Sequence, residues 1–238
     1  MPTLTIAKRE LTSLFYSPIA YVVLGVFALV STLLFLMSFI PGQAATLRDE
    51  FGWIVWLMAF IVPAISMRLV SEELRSGTIE PLMTSPISDA QVITGKWIGG
   101  LGFFLVMLSP LVVHLIVLEI NADPDYGPIA SGVVGLLFVG GLYMAIGVFV
   151  SSMTQNQIIA FLITVLITGF LTIGMHLLKR AEFLSDWMRE AVFFLNVDEQ
   201  YGSFSKGLID LSNFTFFITG IALFLFLAVV TLQSKRWR

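Results

Sequence analysis

Six stretches of this chain are long and apolar enough to cross a bilayer, and that feature decides most of what it can fold into. They are approximately Ile19–Ile40, Trp53–Val70, Val92–Leu118, Ile129–Val150, Ile158–Leu178 and Phe214–Leu232. A helix needs about 20 apolar residues to span a hydrocarbon core about 30 Å thick. In lipid no water is present to satisfy an irregular backbone, so such runs must be helical. The expected fold is an all-α polytopic membrane protein with six transmembrane helices, residues 1–238 forming a single transmembrane domain. Only 12% of the residues are charged, too few to cover the surface of a soluble domain of this size, for which roughly 25% is usual.

An even number of crossings puts both termini on one side. If that side is the cytoplasm, the inner flanks carry Lys8, Arg9, Arg68, Arg75, Lys96, Lys235, Arg236 and Arg238. The outer flanks carry Arg48, Lys179, Arg180, Arg189 and Lys206, spread over a much longer loop, and the connection NADPDYG has no basic residue. This bias predicts cytoplasmic termini. The tryptophans (Trp53, Trp56, Trp97, Trp187, Trp237) fall near span ends or in a connection, at headgroup depth. The first apolar run exceeds the 7–15 residues of a signal-peptide core and reads as a retained span. Pro63 and Pro110, inside spans, predict bends.

Ahead of the first span, residues 3–17 can form an interfacial amphipathic helix. Leu4, Leu11, Leu14 and Phe15 share one face, and Lys8, Arg9 and Glu10 occupy another. Residues 179–213 are too long for a passive turn. The run AEFLSDWMREAVFFL within them has helical spacing and predicts an extracytoplasmic helix between spans 5 and 6. Small residues at close spacing (Gly95 with Gly99, Gly141 with Ala145, and Gly132, Gly135, Gly140 and Gly147) allow tight helix packing, within the chain or across a homodimer seam.

Catalytic chemistry is hard to find. There is no cysteine, which excludes thiol catalysis and cysteine-held metals. His114 and His176 lie in different spans without metal-ligand spacing, and read as neutral side chains bonded to neighbouring helices or as intramembrane functional sites. Gly95-Lys96 lacks the first glycine of a P-loop, Ala90 standing in its place. Arg68, Glu119 and the two histidines are the candidate ionisable groups within or at the ends of the spans. With so few, the expectation is that any transport draws its energy from another polypeptide, and that no cofactor is bound directly.

The exception to this apolar character is residues 71–97, beginning SEELRSGTIEPLMTSP. A simple turn needs about 4–6 residues, and this connection spends far more. Glu72, Glu73 and Arg75 should carry the second span's helix into water, with Gly77 as the left-handed residue that ends it. Thr78 can cap a short helix in which Glu80 complements the positive end of the dipole. Ser85-Pro86 stops it, and Ser88 with Gln91 forms a capping box that starts the next helix. Ile79, Leu82 and Met83 then form an apolar docking face for a soluble partner.

The run EELRSGTIEPLMTSPISDAQVITGKW resembles the cytoplasmic loop of ABC-2 type transporter permeases, which commonly read EExxxGTxExLLxxPxS followed by GK. Glu72, Glu73, Gly77, Thr78, Glu80, Leu82, Pro86, Ser88, Gly95 and Lys96 carry the match, with Met83 where leucine is common. The later run FSKGLIDLSNFTFF is similar to the gliding-motility-type branch of these permeases, in which an F-x-x-G-x-[IV]-D segment precedes the sixth span.

The resemblance implies a half-transporter: two permease chains, identical or not, form the pathway of an exporter in the bacterial cytoplasmic membrane. Each would dock through its coupling helix on a separate ATP-binding subunit, which uses ATP and magnesium. Glu72, Glu73 and Arg75 would lie at the membrane-proximal end of the coupling elbow, and Ile79, Glu80, Leu82 and Met83 would touch the ATPase. An accessory membrane protein often accompanies this branch; no nucleic-acid partner is expected. A secondary transporter or channel working alone, and a non-transporting membrane scaffold, are the alternatives.

Overall fold

The computed structural model describes residues 2–39, 46–78, 87–179 and 185–236, and every regular element among them is helical. Helix α1 (Pro2–Phe15) precedes span 1, which is α2 (Pro18–Ser38). Span 2 consists of α3 (Arg48–Ser66) and the short α4 (Ser71–Ser76), span 3 of α5 (Asp89–Met107) and α6 (Pro110–Asn121). Span 4 is α7 (Tyr126–Met153). Span 5 joins α8 (Gln157–Gly169) through a π-helical turn, Phe170–Gly174, to α9 (Met175–Leu178). Helices α10 (Asp186–Leu195) and α11 (Val197–Gly202) and a 3₁₀ turn, Phe204–Lys206, lead to span 6, α12 (Leu211–Arg236). Six segments are long and apolar enough to cross a membrane, and the chain is a polytopic all-α membrane protein.

Span 4 is the centre of the bundle. Leu136, Val139, Tyr143, Met144, Ile146 and Val148 are fully buried on it. Its small residues serve packing within the chain: a side chain at Gly140 would meet the Phe104 ring at 2.4 Å, and one at Gly147 would meet Ser66. By contrast, α2, α8 and α12 leave many large apolar side chains exposed, among them Leu29, Leu162 and Phe226, as lipid-facing helices do.

Both prolines within spans lie beside interruptions, and a neighbouring helix serves the carbonyl that Pro63 leaves open. Pro63 lacks the N–H that would bond the carbonyl of Ala59. The Thr168 hydroxyl of span 5 donates to that carbonyl at 2.7 Å. One turn on, the helix gives way over Met67–Val70 before α4 begins. There the Ser151 hydroxyl of span 4 donates to the Met67 carbonyl at 2.9 Å and accepts from the amides of Val70 and Ser71 at 3.1 and 2.9 Å. Span 3 breaks at Leu108 and Ser109, with Pro110 in the first turn of α6, where its missing N–H costs nothing.

Two expectations are corrected. Span 2 begins at Arg48 rather than Trp53, which brings Glu50 inside a membrane segment. On α1, Ile6, Ala7, Glu10 and Leu14 form the buried face while Leu4 is exposed, so Glu10 does not share the outward polar face. Of the predicted outer helix, Asp186–Leu195 is present with no residue buried, while residues 180–184 lie outside the described residues.

Candidate functional site

Local sequence builds the two sides of the charged connection as expected. Gly77, at φ 71°, takes the left-handed conformation that ends α4. The Ser88 hydroxyl accepts from the Gln91 amide, and the Gln91 side chain accepts from the Ser88 amide, so α5 starts on a complete capping box. Ile79, Glu80, Leu82, Met83 and Pro86, and with them the short docking helix, lie outside the described residues.

What the structure adds is a buried ionic joint. Lys96, two turns into α5, has no exposed surface. Its ammonium lies 2.6 Å from Glu10 Oε1 on α1 and 2.9 Å from Glu73 Oε2 on α4. The Arg9 guanidinium lies 2.6 Å from Glu73 Oε1 and 3.6 Å from Glu10 Oε1. Two cations thus meet two carboxylates and the cluster is neutral, the condition under which buried charge is tolerated. Three elements distant in sequence are pinned at one point.

Two glycines allow α1 to come this close. A side chain at Gly99 would lie 2.7 Å from Glu10 Cβ and 2.8 Å from the Ala7 carbonyl. One at Gly95 would lie 2.9 Å from both Ile6 Cβ and the Thr3 carbonyl. The Gly95/Gly99 pair therefore serves as a seat for the interfacial helix.

The candidate coupling residues divide. Glu73 turns inward to Lys96 instead of running into water. Glu72 is half exposed and forms an i,i+4 pair with Arg68 at 3.1 Å. Arg75, Gly77 and Thr78 are exposed at the end of α4. Sequence reasoning missed Arg9 and Glu10 as members of the joint, and Lys96 as the shared partner of Glu10 and Glu73. The available signal was Lys96 itself, a cation at the start of a long apolar helix that must find a carboxylate.

At the other end of the bundle, each of the two histidines is bonded to a carboxylate. His114 Nδ1 lies 2.6 Å from Glu50 Oε1, its Nε2 lies 3.2 Å from the Thr32 hydroxyl, and its ring stacks on Phe35. His176 Nδ1 lies 3.1 Å from Asp198 Oδ2, while Asp198 Oδ1 accepts from the Trp56 indole at 3.3 Å. Lys179 pairs with Glu199. Tyr201 is buried beside them, and burial pushes its phenol well above the ordinary value, with the negative charges of Asp198 and Glu50 adding to the shift. It is a neutral donor, 3.4 Å from the Gly132 carbonyl. Among the described residues no group of three or more His, Asp or Glu side chains could hold a metal ion.

The FSKGLID run has a local physical reading. Phe204 is fully buried, Gly207 is left-handed at φ 84°, and the Asp210 carboxylate accepts from the Ser212 amide as α12 begins. The segment anchors, turns and starts the last span.

A six-span bundle with a surface helix seated on it makes this chain an integral, multi-pass membrane protein. The chain belongs to the ABC-2 transporter family: the family model described as ABC-2 family transporter protein matches residues 4–235. It is therefore a permease component of an ABC transporter. No curated protein matches it.

Proposed function

We propose that the chain is the transmembrane half of an ATP-driven exporter in which two permease chains, identical or related, enclose the pathway. Each docks on a separate ATP-binding subunit that uses ATP and magnesium, at the end of the bundle carrying the termini. The basic flanks support the reading that this end faces the cytoplasm, and on it the membrane is the bacterial cytoplasmic one.

The observation that carries this reading is the Lys96 joint. Glu73 lies just before the segment 79–86 and Lys96 soon after it, and the two are ion-paired 2.9 Å apart. A push on that segment from a soluble partner reaches span 3 and α1 through buried charge pairs and seated glycines, not through a slack linker. Glu72, Arg75, Gly77 and Thr78 offer the exposed approach; Ile79, Glu80, Leu82, Met83 and Pro86 supply the contact. The run Phe204–Asp210 favours the gliding-motility-type branch, and with it an accessory membrane subunit. The outer helix α10 then helps close the external side.

The test is co-purification. The wild-type chain should bring down a nucleotide-hydrolysing subunit, and Glu80→Lys combined with Leu82→Asp should lose it while membrane insertion persists. Unaltered capture by that variant, or no such subunit with the wild type, overturns the docking reading. Cysteines placed at residues 84 and 125 should label from opposite sides of intact cells.

One observation favours a second reading. The Glu50–His114 pair is an ionisable site of the kind that proton-coupled transporters keep inside their spans. Solute movement by the purified chain in liposomes, driven by a proton gradient without an ATPase, would select it over the first.

A further inference from the structure

Where spans 1 and 2 leave the bilayer, a cleft of about 760 Å³ opens between them and α11. That lies within the roughly 300–1,000 Å³ of small-molecule sites. Ser38, the last residue of span 1, and Arg48, the first of span 2, both line it, so it lies at headgroup depth, at the end of the bundle opposite the termini.

The charges in this cleft are unequally satisfied. Its deeper acids are already occupied: Asp198 by Trp56 and His176, Glu199 by Lys179. Arg48 and Lys206, which also line it, have no carboxylate partner among the described residues, and Asp49 has no basic one. Two cations and one anion are left facing the space. The wall between them is aromatic, with Trp53 more than half exposed and Trp56 beside it. On the span 1 side the wall is apolar, with Leu34 and Met37 lining it, and that helix continues into lipid with Leu33, Leu36 and Met37 exposed.

We infer that this cleft binds a zwitterionic phospholipid: the phosphate is held by Arg48 and Lys206, the ammonium by Asp49 and the indole faces, and an acyl chain lies along span 1. Phosphate suits paired basic side chains, and an ammonium suits an aromatic wall with a nearby carboxylate. The apolar wall distinguishes a lipid from a free phosphate compound, since only a lipid gains from it. The inference is independent of any ATPase partner, and its test involves no transport.

The experiment is native mass spectrometry of the full chain in detergent, titrated with phosphatidylethanolamine, phosphatidylglycerol or O-phosphoethanolamine. A single phosphatidylethanolamine should be retained in preference to phosphatidylglycerol, and the chain-free headgroup should not bind in the same range. Arg48→Ala with Lys206→Ala should raise the half-saturating lipid concentration roughly tenfold or more, the scale of two lost charge-assisted hydrogen bonds. Asp49→Asn should shift preference toward phosphatidylglycerol. All three side chains are exposed, so the fold is retained in these variants. Equal retention by wild type and double variant overturns the inference. So does headgroup binding as tight as that of the lipid, or a wild-type preference for phosphatidylglycerol.

Discussion

His114 and Glu50 share a 2.6 Å hydrogen bond inside the bundle, and the carboxylate is fully buried. Glu50 Oε2 has no hydrogen-bond partner among the described residues, so the imidazole is the group that makes this carboxylate tolerable. The same ring bonds Thr32 and stacks on Phe35, tying span 1 to spans 2 and 3. Span 1 otherwise buries few side chains, and this pair is a principal attachment.

His114→Leu should therefore cost about 3–5 kcal/mol, because it strands a buried carboxylate. Adding Glu50→Met should restore most of that loss, since replacing both partners by apolar groups removes the unpaired charge. Thermal unfolding of the purified variants in one detergent checks this. Equal losses in the single and double variants would show that the two residues are not coupled.

The Lys96 joint obeys the same logic with more members. Lys96→Met leaves Glu10 and Glu73 with only the half-exposed Arg9 to offset their repulsion, and a loss of about 3–5 kcal/mol is expected. With Glu10→Gln and Glu73→Gln added, the repulsion disappears and stability should recover; on the proposed coupling role, ATPase stimulation in the assembled transporter stays low. Recovery of both would reduce the joint to a stabilising device without a coupling function.

Helix α1 depends on backbone approach as well as on charge. A side chain at Gly99 has no room, because the Ala7 carbonyl 2.8 Å away is backbone and cannot rotate aside. Gly99→Leu should lift α1 from span 3. A cysteine in place of Ile6, which is only 5% exposed, should then react much faster with a polar maleimide than in the Gly99 parent. An unchanged labelling rate would mean that α1 is held elsewhere.

What could be read from sequence was what local pattern determines. The apolar runs located the spans, and Gly77 and the Ser88–Gln91 box are settled by residues three or fewer positions apart. The joint was not legible because Glu10 and Lys96 are 86 positions apart, and the periodicity of α1 alone assigned Glu10 to the polar face with Lys8 and Arg9. Glu50 was missed for a related reason. Charges at Arg48, Asp49 and Glu50 lower local hydropathy and moved the apparent start of span 2 to Trp53. The helix nevertheless begins at Arg48, with Glu50 on its buried side.

The Pro63 repair gives the most direct test of how this bundle manages polar backbone in lipid. Thr168→Val removes the hydroxyl that serves the Ala59 carbonyl at 2.7 Å and leaves that oxygen unsatisfied between spans, at a cost of about 1–3 kcal/mol. Pro63→Ala restores an amide at position 63 that can bond the same carbonyl along the helix. Thr168→Val should therefore be markedly milder in the Pro63→Ala background than in the wild type. Thr168 also lies 2.9 Å from the Thr164 carbonyl of its own helix, but that carbonyl keeps its ordinary helical amide and does not depend on the hydroxyl. A double-mutant cycle read from thermal unfolding isolates the coupling. If the two losses simply add, Thr168 is bonding within its own helix and the Ala59 carbonyl is satisfied some other way.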